Sequence, residues 1–354
     1  MISRYHLPRV RCRVEPGSAF AVTACSISEK LVSYDVINTQ AYLSDEAVAI
    51  LESCGCQLRL VLLETLSEDE FCREIANADA VVAGGEYYTG KIFDVAERLK
   101  IVARTGVGVD HVDLDSAAKH GVWVTNTPGA TNSAVAEFAI GLMLSWLRHI
   151  DRLAVEMKQG KFVRTEGTEL GSLTVGVVGA GGIGKAVLRL ARAFGAQAIA
   201  YDIHPDQEFA EQWQVDYLSL DDLLQQADIV SIHCGLDEST HGLIGEAQLK
   251  LMKPTSLLVN TARAQIVDKV ALVTSLKEQV IAGAAIDVWE AIPCDPDDPL
   301  LKMDNVLTTS WSAFYTTQAV NTMCRVAAEE IAHVLSGQQP LHAVNSPAAS
   351  GSVD

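Results

Sequence analysis

The chain has 354 residues, a formal net charge of -18, and 49% hydrophobic and 20% charged residues. That length suffices for two domains with full cores, because single cores stop growing below ~300 residues. An acidic surface repels phosphate and gains nothing from counterion release, so nucleic acid and anionic membrane are disfavoured and a small-molecule partner is expected.

The first residues, MISRYHLPRVRCRVEPGS, are basic and acid-poor but carry no apolar h-region. A secretory signal is therefore not expected, and an organelle leader is the alternative to a cytoplasmic chain. From residue 18 onward, short apolar runs alternate with amphipathic ones, the pattern of parallel sheets covered by helices. FAVTAC, QLRLVLL, DAVVAG, KIVAR and VWVTN read as strands, with helices at DEAVAILES and SEDEFCREIA. The eight cysteines are scattered. Cys54 and Cys56 have no matching second pair, so reduced thiols and no metal are expected. NTPGATNSA is a turn-rich connector, and a helix of roughly 25 residues then runs toward Gln159. Within it, FAIGLMLSWL is stopped by Arg148, well short of the ~20 residues a membrane span needs.

A second series of strands follows at TVGVV, AIAY, DIVSI, SLLVN, GAAID and NVLT, again separated by helical stretches such as KAVLRLARAF. The expected fold is α/β with two doubly wound parallel-sheet domains. The expected bounds are residues 1–125 plus 313–345 for a substrate domain, 126–312 for a nucleotide-binding domain, and 346–354 for a disordered tail. The final helix, QAVNTMCRVAAEEIAHVLSG, is expected to return to the first domain.

Gly179, Gly181 and Gly184 form GxGxxG between a strand and a helix, and Asp202 ends the next strand. Gly179 allows a tight turn, Gly181 lets backbone amides approach a pyrophosphate, and Gly184 lets helix and strand pack closely. Asp202 is suited to the adenosine ribose and would repel a 2'-phosphate, so NAD is expected over NADP. Ligands of such sheets bind beyond the carboxyl ends of the strands, which here carry His233, Arg263, Asp287 and Trp311. Arg263 is a fixed cation able to hold a carboxylate through two N–H donors. A neutral His233 lining the cofactor groove is favoured over a catalytic one, with Cys234, Gly235, Thr261 and Ala262 beside it. Asp287 is read as orienting the nicotinamide amide, with capping of the next segment as the alternative.

The blocks VARTGVGVDHVDLDSAAKHGVWVTNTPG, NSAVAEFAIGLML, GAGGIG, LIGEAQLKLMKPTSLLVNTAR and AAIDVW resemble the D-isomer-specific 2-hydroxyacid dehydrogenases, nearest the short D-3-phosphoglycerate dehydrogenase-like branch without a regulatory domain. The likeness covers roughly residues 75 to 345, and the first eighteen residues and SEKLVSYDVINTQAYL look like additions. The resemblance implies a flavodoxin-like substrate domain, a Rossmann NAD domain and a homodimer built on the helix after Asn132. It places Arg263 on the substrate arginine, Asp287 on a nicotinamide-side aspartate, and Gly182, Ile183 and Asp202 on NAD contacts. The substrate carboxylate would lie on the loops Gly84 to Glu86, including Gly85, and Gly106 to Gly108, including Val107. Arg104 adds charge beside them and Phe314 lies at the substrate.

Two departures bear on the reaction. Ile292 stands where the family has the glutamate that polarises its catalytic histidine, and Trp311 stands in place of that histidine. Ala264 replaces the usual glycine after the arginine, and Gly235 the usual proline. Glu290 is a candidate replacement carboxylate. The favoured reading is an NAD-dependent oxidoreductase acting on a small carboxylate, with its proton supplied by water, by the substrate or by another side chain. The alternatives are a non-redox enzyme that keeps NAD, or an NAD-sensing, corepressor-like binding protein.

Overall fold

The computed structural model describes residues 33–62 and 66–347. The expected strand FAVTAC lies outside the described residues, as does the expected tail beyond Pro347.

The first lobe runs β1 (Tyr34–Asn38), α1 (Asp45–Ser53), β2 (Cys56–Leu60), α2 (Glu68–Ile75), β3 (Ala80–Ala83), α3 (Gly90–Val95), β4 (Ile101–Arg104), α4 (Leu114–Lys119) and β5 (Trp123–Thr125). Its strands pair in parallel in the order β2-β1-β3-β4-β5, a flavodoxin-like sheet. The β3 and β4 sequences AVVA and IVAR are buried at every position, as strands covered by helices on both faces must be. Helix starts follow local chemistry. Ser44 caps α1 by accepting from the Ala47 amide, and Ser67 and Glu70 cap α2 reciprocally.

β1 corrects the sequence reading, because YDVIN lies inside the segment that looked like an addition. It sits between β2 and β3, with Val36 and Ile37 fully buried. Asp35 interrupts its apolar run, yet its carboxylate is matched by Arg59 on β2 at 3.0 Å. That pairing is invisible to a local pattern.

The expected helix of roughly 25 residues is two helices, α5 (Asn132–Arg148) and α6 (Ile150–Lys158). His149 breaks it at φ 53, and its amide donates to the Ser145 and Trp146 carbonyls. A left-handed residue closes one helix and re-aims the chain.

The second lobe contains β6 (Thr174–Val178), α7 (Gly182–Ala193), β7 (Gln197–Tyr201), α8 (Gln207–Trp213), β8 (Asp216–Tyr217), α9 (Leu220–Gln226), β9 (Ile229–Ile232), α10 (Glu246–Leu251), β10 (Leu257–Asn260), α11 (Lys269–Lys277), β11 (Gly283–Ile286) and β12 (Val306–Thr308). The sheet order β12-β11-β10-β9-β6-β7-β8 is parallel throughout, a Rossmann arrangement whose order reverses at β6. Two-residue β8 is too short for any apolar pattern and was not legible beforehand. Val175, Val177, Leu257 and Val259 enter one core with α5 and α7, whereas Val178, Val230 and Leu258 enter the other with α9 and α11.

α12 (Thr317–Leu335) returns to the first lobe, where Cys324, Ala327, Ala328 and Ile331 pack with Val36, Val82 and Ala103. The chain end then covers the β5 edge through a bridge between Thr125 and Ala343 and a 2.8 Å bond from the Val124 amide to Asn345. Both lobes belong to one compact unit that starts at Ser33.

Candidate active site

The turn between β6 and α7 gives each glycine a distinct physical requirement. Gly179 has φ +92, and a Cβ there would lie 2.4 Å from the Cys234 amide. At Gly184 a Cβ would lie 2.0 Å from the Gly179 carbonyl, whereas at Gly181 it would meet nothing within 4 Å. Gly181 is thus the open one, at the N-cap of α7. The amides of Gly181, Gly182 and Ile183 have no hydrogen-bond partner among the described residues. Orphan donors at a helix N-terminus form a ready anion site. Asp202 stands at the end of β7, where its carboxylate accepts from the Ala180 amide at 2.7 Å and the His204 amide at 2.8 Å. The turn and the acidic residue are therefore built as one piece.

A cavity of about 750 Å³ runs from this groove between the lobes. Ile183, His233, Cys234, Gly235, Thr261, Ala262 and Arg263 line it from the second lobe, and Gly85, Arg104, Gly106, Val107 and Gly108 from the first. His233 Nε2 is 2.8 Å from Ser231 Oγ, while His233 Nδ1 and Thr261 Oγ1 are buried without a partner. Burial depresses His233 to a pKa of about 3, so the imidazole is neutral, as expected. The same effect raises the Cys234 thiol to about 11. Open amides at the α7 N-terminus and two orphaned polar atoms farther along fit a dinucleotide, pyrophosphate at one end and a polar ring at the other.

On the first lobe, the carbonyls of the Gly106 to Gly108 loop all point into protein. Gly106 accepts from the Thr127 amide, Val107 from Asn126 Nδ2 and Gly108 from Arg104. The Gly106, Val107 and Gly108 amides have no partner among the described residues, and neither have those of Gly85 and Glu86. Consecutive unpaired N–H groups of this kind form an anion-binding concavity. The Gly84 amide is not available, because it donates to Thr39 Oγ1 and Glu86 Oε1. Glu86 itself accepts from Thr39 and Tyr88 and so shapes its loop from within. Arg104 is buried beneath the second loop, where desolvation lowers its pKa to about 10 and leaves it charged at neutral pH.

Arg263 comes pre-oriented by a partner that sequence reading missed. Its Nε and Nη2 donate to the Asp110 carboxylate at 3.0 to 3.2 Å, and Nη1 donates to the Ala262 carbonyl at 2.8 Å. A guanidinium has five N–H donors, so one on each terminal nitrogen is left for a ligand. Burial pushes the Asp110 carboxyl up, but hydrogen bonding and charge from Arg263 outweigh it and hold the group below the usual carboxylate range. The only available signal was an acid two residues beyond Gly108 in the same loop.

Trp311 follows β12 with φ 51, an unfavourable conformation for a bulky residue. Asp287 imposes it. The carboxylate is fully buried and accepts from Thr309 Oγ1 at 2.5 Å and from the Ser312 and Ala313 amides at 2.9 Å, while its carbonyl accepts from the Trp311 amide at 2.9 Å. Asp287 thus holds the Trp311 turn, the capping role given as the alternative to orienting the nicotinamide amide, and it is not among the cavity-lining residues. The indole reaches the other lobe, 3.6 Å from where a Cβ on Gly85 would be, and meets Phe314 edge-on at 6.1 Å.

Glu290 is also corrected. It is exposed and paired with Lys269 at 3.1 Å, beside a separate crevice, and does not face Trp311's cavity. Lys269 also binds the buried Asp298 at 2.7 Å, which ties the 290–298 loop to α11. Ile292 is 61% exposed on that loop. Gln40, Tyr42, Tyr315, Val320, Met323 and Cys324 line the cavity without having been anticipated. The first two follow β1, which sequence reading did not identify as a strand.

Residues 140–313 match the family described as D-isomer specific 2-hydroxyacid dehydrogenase, NAD binding domain. The chain is 37% identical over 309 residues to a D-3-phosphoglycerate dehydrogenase of Methanocaldococcus jannaschii, across 86% of this chain and 58% of that protein. The chain thus spans little more than half the length of that relative. It is 38% identical over 261 residues to a glyoxylate reductase of Korarchaeum cryptofilum, covering 72% of this chain and 79% of the other. A D-lactate dehydrogenase from Lactobacillus jensenii, solved with NAD+, superposes with a TM-score of 0.70 at 27% identity, over 88% of this chain and 99% of that one.

Proposed function

Because the chain belongs to the D-isomer specific 2-hydroxyacid dehydrogenase family, we propose that it is an NAD-dependent oxidoreductase for a small carboxylate substrate, in which no side chain takes the usual acid–base role. One observation carries this reading: the cavity joins the α7 groove, the unpaired amides of two loops and Arg263 to an indole, and among the described residues no cavity-lining group is suited to exchange a proton near neutral pH. Asp110 is held ionised, His233 neutral and the Cys234 thiol protonated. An indole N–H donates a hydrogen bond and nothing more.

NAD, when bound, supplies the hydride acceptor or donor. The protein's part is to seat its pyrophosphate on the Gly181, Gly182 and Ile183 amides, to hold the substrate carboxylate on Arg263 and the Gly106 to Gly108 loop, and to exclude water with Trp311. Lack of a general acid–base costs ~10²- to 10⁴-fold, so ordinary 2-hydroxyacid oxidation is slow. A substrate that brings its own proton, such as an iminium, or one that leaves as carbon dioxide, avoids the penalty.

NADH binding is read by quenching of tryptophan fluorescence, and turnover is then compared for a 2-oxoacid alone and with excess ammonium. Slow turnover that ammonium accelerates supports the reading. Absence of NADH binding refutes it, and binding without turnover of either mixture transfers support to an NAD-sensing protein.

The proposal includes a homodimer through the α6 segment and a cytoplasmic setting. No residue of α6 is buried, yet Ile150, Val155 and Met157 are each more than half exposed and Phe162 is 76% exposed. Exposed apolar side chains concentrated in one short segment suit an interface. Met157→Asp is expected to yield monomers in sedimentation equilibrium, and an unchanged assembly would remove this segment from the interface. Every cysteine among the described residues is free, as suits a reducing compartment.

A further inference from the structure

We propose that the substrate carries a bulky apolar side chain, aliphatic or aromatic, and neither a phosphate nor a second carboxylate. The inference rests on the carboxylate-site reading above and adds the chemistry of the other end of the molecule. Beyond Arg263 and the amide loops, the same cavity continues along Tyr42, Phe314, Tyr315, Val320, Met323 and Cys324. These side chains come from three places: the turn after β1, the segment between β12 and α12 that carries Phe314 and Tyr315, and the first half of α12. They are held together locally: Tyr42 donates to Asn321 Oδ1 at 3.0 Å, and Cys324 Sγ is 3.9 Å from the Tyr42 carbonyl. Phe314 stands edge-on between Trp311, at 6.1 Å, and Tyr315, at 5.8 Å. Fixed aromatic and thioether surfaces recognise apolar groups at low ordering cost.

Charge argues the same way. Among the described residues, the cations lining the cavity are Arg104 and Arg263. Arg104 is committed to the Ala83 and Gly108 carbonyls, and Arg263 is half taken by Asp110. A substrate carboxylate uses what Arg263 has left. A second anionic group at the Tyr42 and Val320 end would meet no cation and would lie in the field of a chain with net charge -18. Tyr42 and Tyr315 are 49% and 69% exposed while Met323 and Cys324 are buried, so a charge placed there is partly desolvated against apolar surface with no partner to offset the cost.

The test titrates protein loaded with NAD+, which cannot reduce an oxoacid, with phenylpyruvate, glyoxylate and phosphohydroxypyruvate, by calorimetry. Phenylpyruvate is expected to bind at least about tenfold more tightly than glyoxylate, and phosphohydroxypyruvate no better than glyoxylate. In Val320→Lys the order of phenylpyruvate and phosphohydroxypyruvate is expected to reverse. Equal binding of phenylpyruvate and glyoxylate, or preference for phosphohydroxypyruvate, overturns the apolar subsite and leaves the carboxylate site standing. If phenylpyruvamide, which lacks the carboxylate, binds as well as phenylpyruvate, the carboxylate reading fails and the subsite stands. Failure of all the ligands to bind overturns both.

Discussion

Replacing Trp311 with histidine puts an acid–base group where the indole now stands. The backbone there is left-handed, at φ 51, and histidine enters that region more readily than tryptophan, so the turn held by Asp287 is expected to persist. A positioned acid–base contributes ~10²- to 10⁴-fold, or roughly 3 to 5 kcal/mol of barrier. The upper part of that range needs a carboxylate to orient the ring, and the nearby ones are committed: Asp287 to Thr309 and the turn amides, Asp110 to Arg263 and Glu290 to Lys269. The expected gain in 2-oxoacid reduction is therefore about 10²-fold. Adding Ile292→Glu is expected to give no further gain, because that side chain lies outside the cavity. The assay is NADH absorbance across a pH series. The protonated imidazole is the donor in the reducing direction, so the new rate should be high below the histidine pKa and fall above it, with an inflection near ~6.5. A Trp311→His protein that binds NADH and phenylpyruvate normally, yet shows neither the gain nor the inflection, would refute placement of Trp311 beside the reacting carbon.

Other expectations follow from particular contacts. Gly181→Ala should leave thermal stability unchanged while weakening NADH binding, because its methyl enters open space at the α7 N-terminus; Gly184→Ala should harm both, since its Cβ would lie 2.0 Å from the Gly179 carbonyl. Wild-type NADH affinity in Gly181→Ala would remove the pyrophosphate from this turn. Asp287→Asn should lower stability by roughly 2–3 kcal/mol in urea unfolding, because its amide group faces N–H donors; a change under about 0.5 kcal/mol would mean the turn is held otherwise. The Asp110 pKa is depressed in the folded state, so the stability it contributes is fully present above its unfolded value of ~3.9 and is lost as pH falls through the folded one. Asp110→Asn should therefore flatten the acid side of a plot of melting temperature against pH, and an unaltered acid limb would show that the pair with Arg263 adds nothing.

The parts of the molecule legible in the sequence are those where one segment sets its own structure. Short continuous apolar runs such as AVVA and LLVN between turns read as strands covered on both faces, and Gly184 meets its constraint at the Gly179 carbonyl within six residues of chain, although Gly179 is itself closed by the distant Cys234. What was not legible depends on a distant partner. YDVIN is a strand because Arg59 neutralises Asp35. Asp287 is a turn anchor because the amides it accepts come from residues 312 and 313. Nothing in the composition of WLRHIDR, which has neither proline nor glycine, marks His149 as the end of α5; its role is set by the carbonyls it caps. Glu290 looked available only because Lys269 lies 21 positions away in the chain.

The proposed anion sites lie on unpaired backbone N–H groups at the α7 start and in the Gly106 to Gly108 loop, the second beside Arg263, in a chain of net charge -18. These two fields differ in range. The amide dipoles act over a few ångströms, whereas the net charge repels an approaching anion over a Debye length of ~10 Å or more at low salt. Salt therefore screens the repulsion far more than the attraction. Capture of NADH or of a carboxylate should quicken as ionic strength rises, the reverse of ordinary electrostatic steering, while the rate of release hardly changes. The protein selects its anions after they arrive, not by drawing them in.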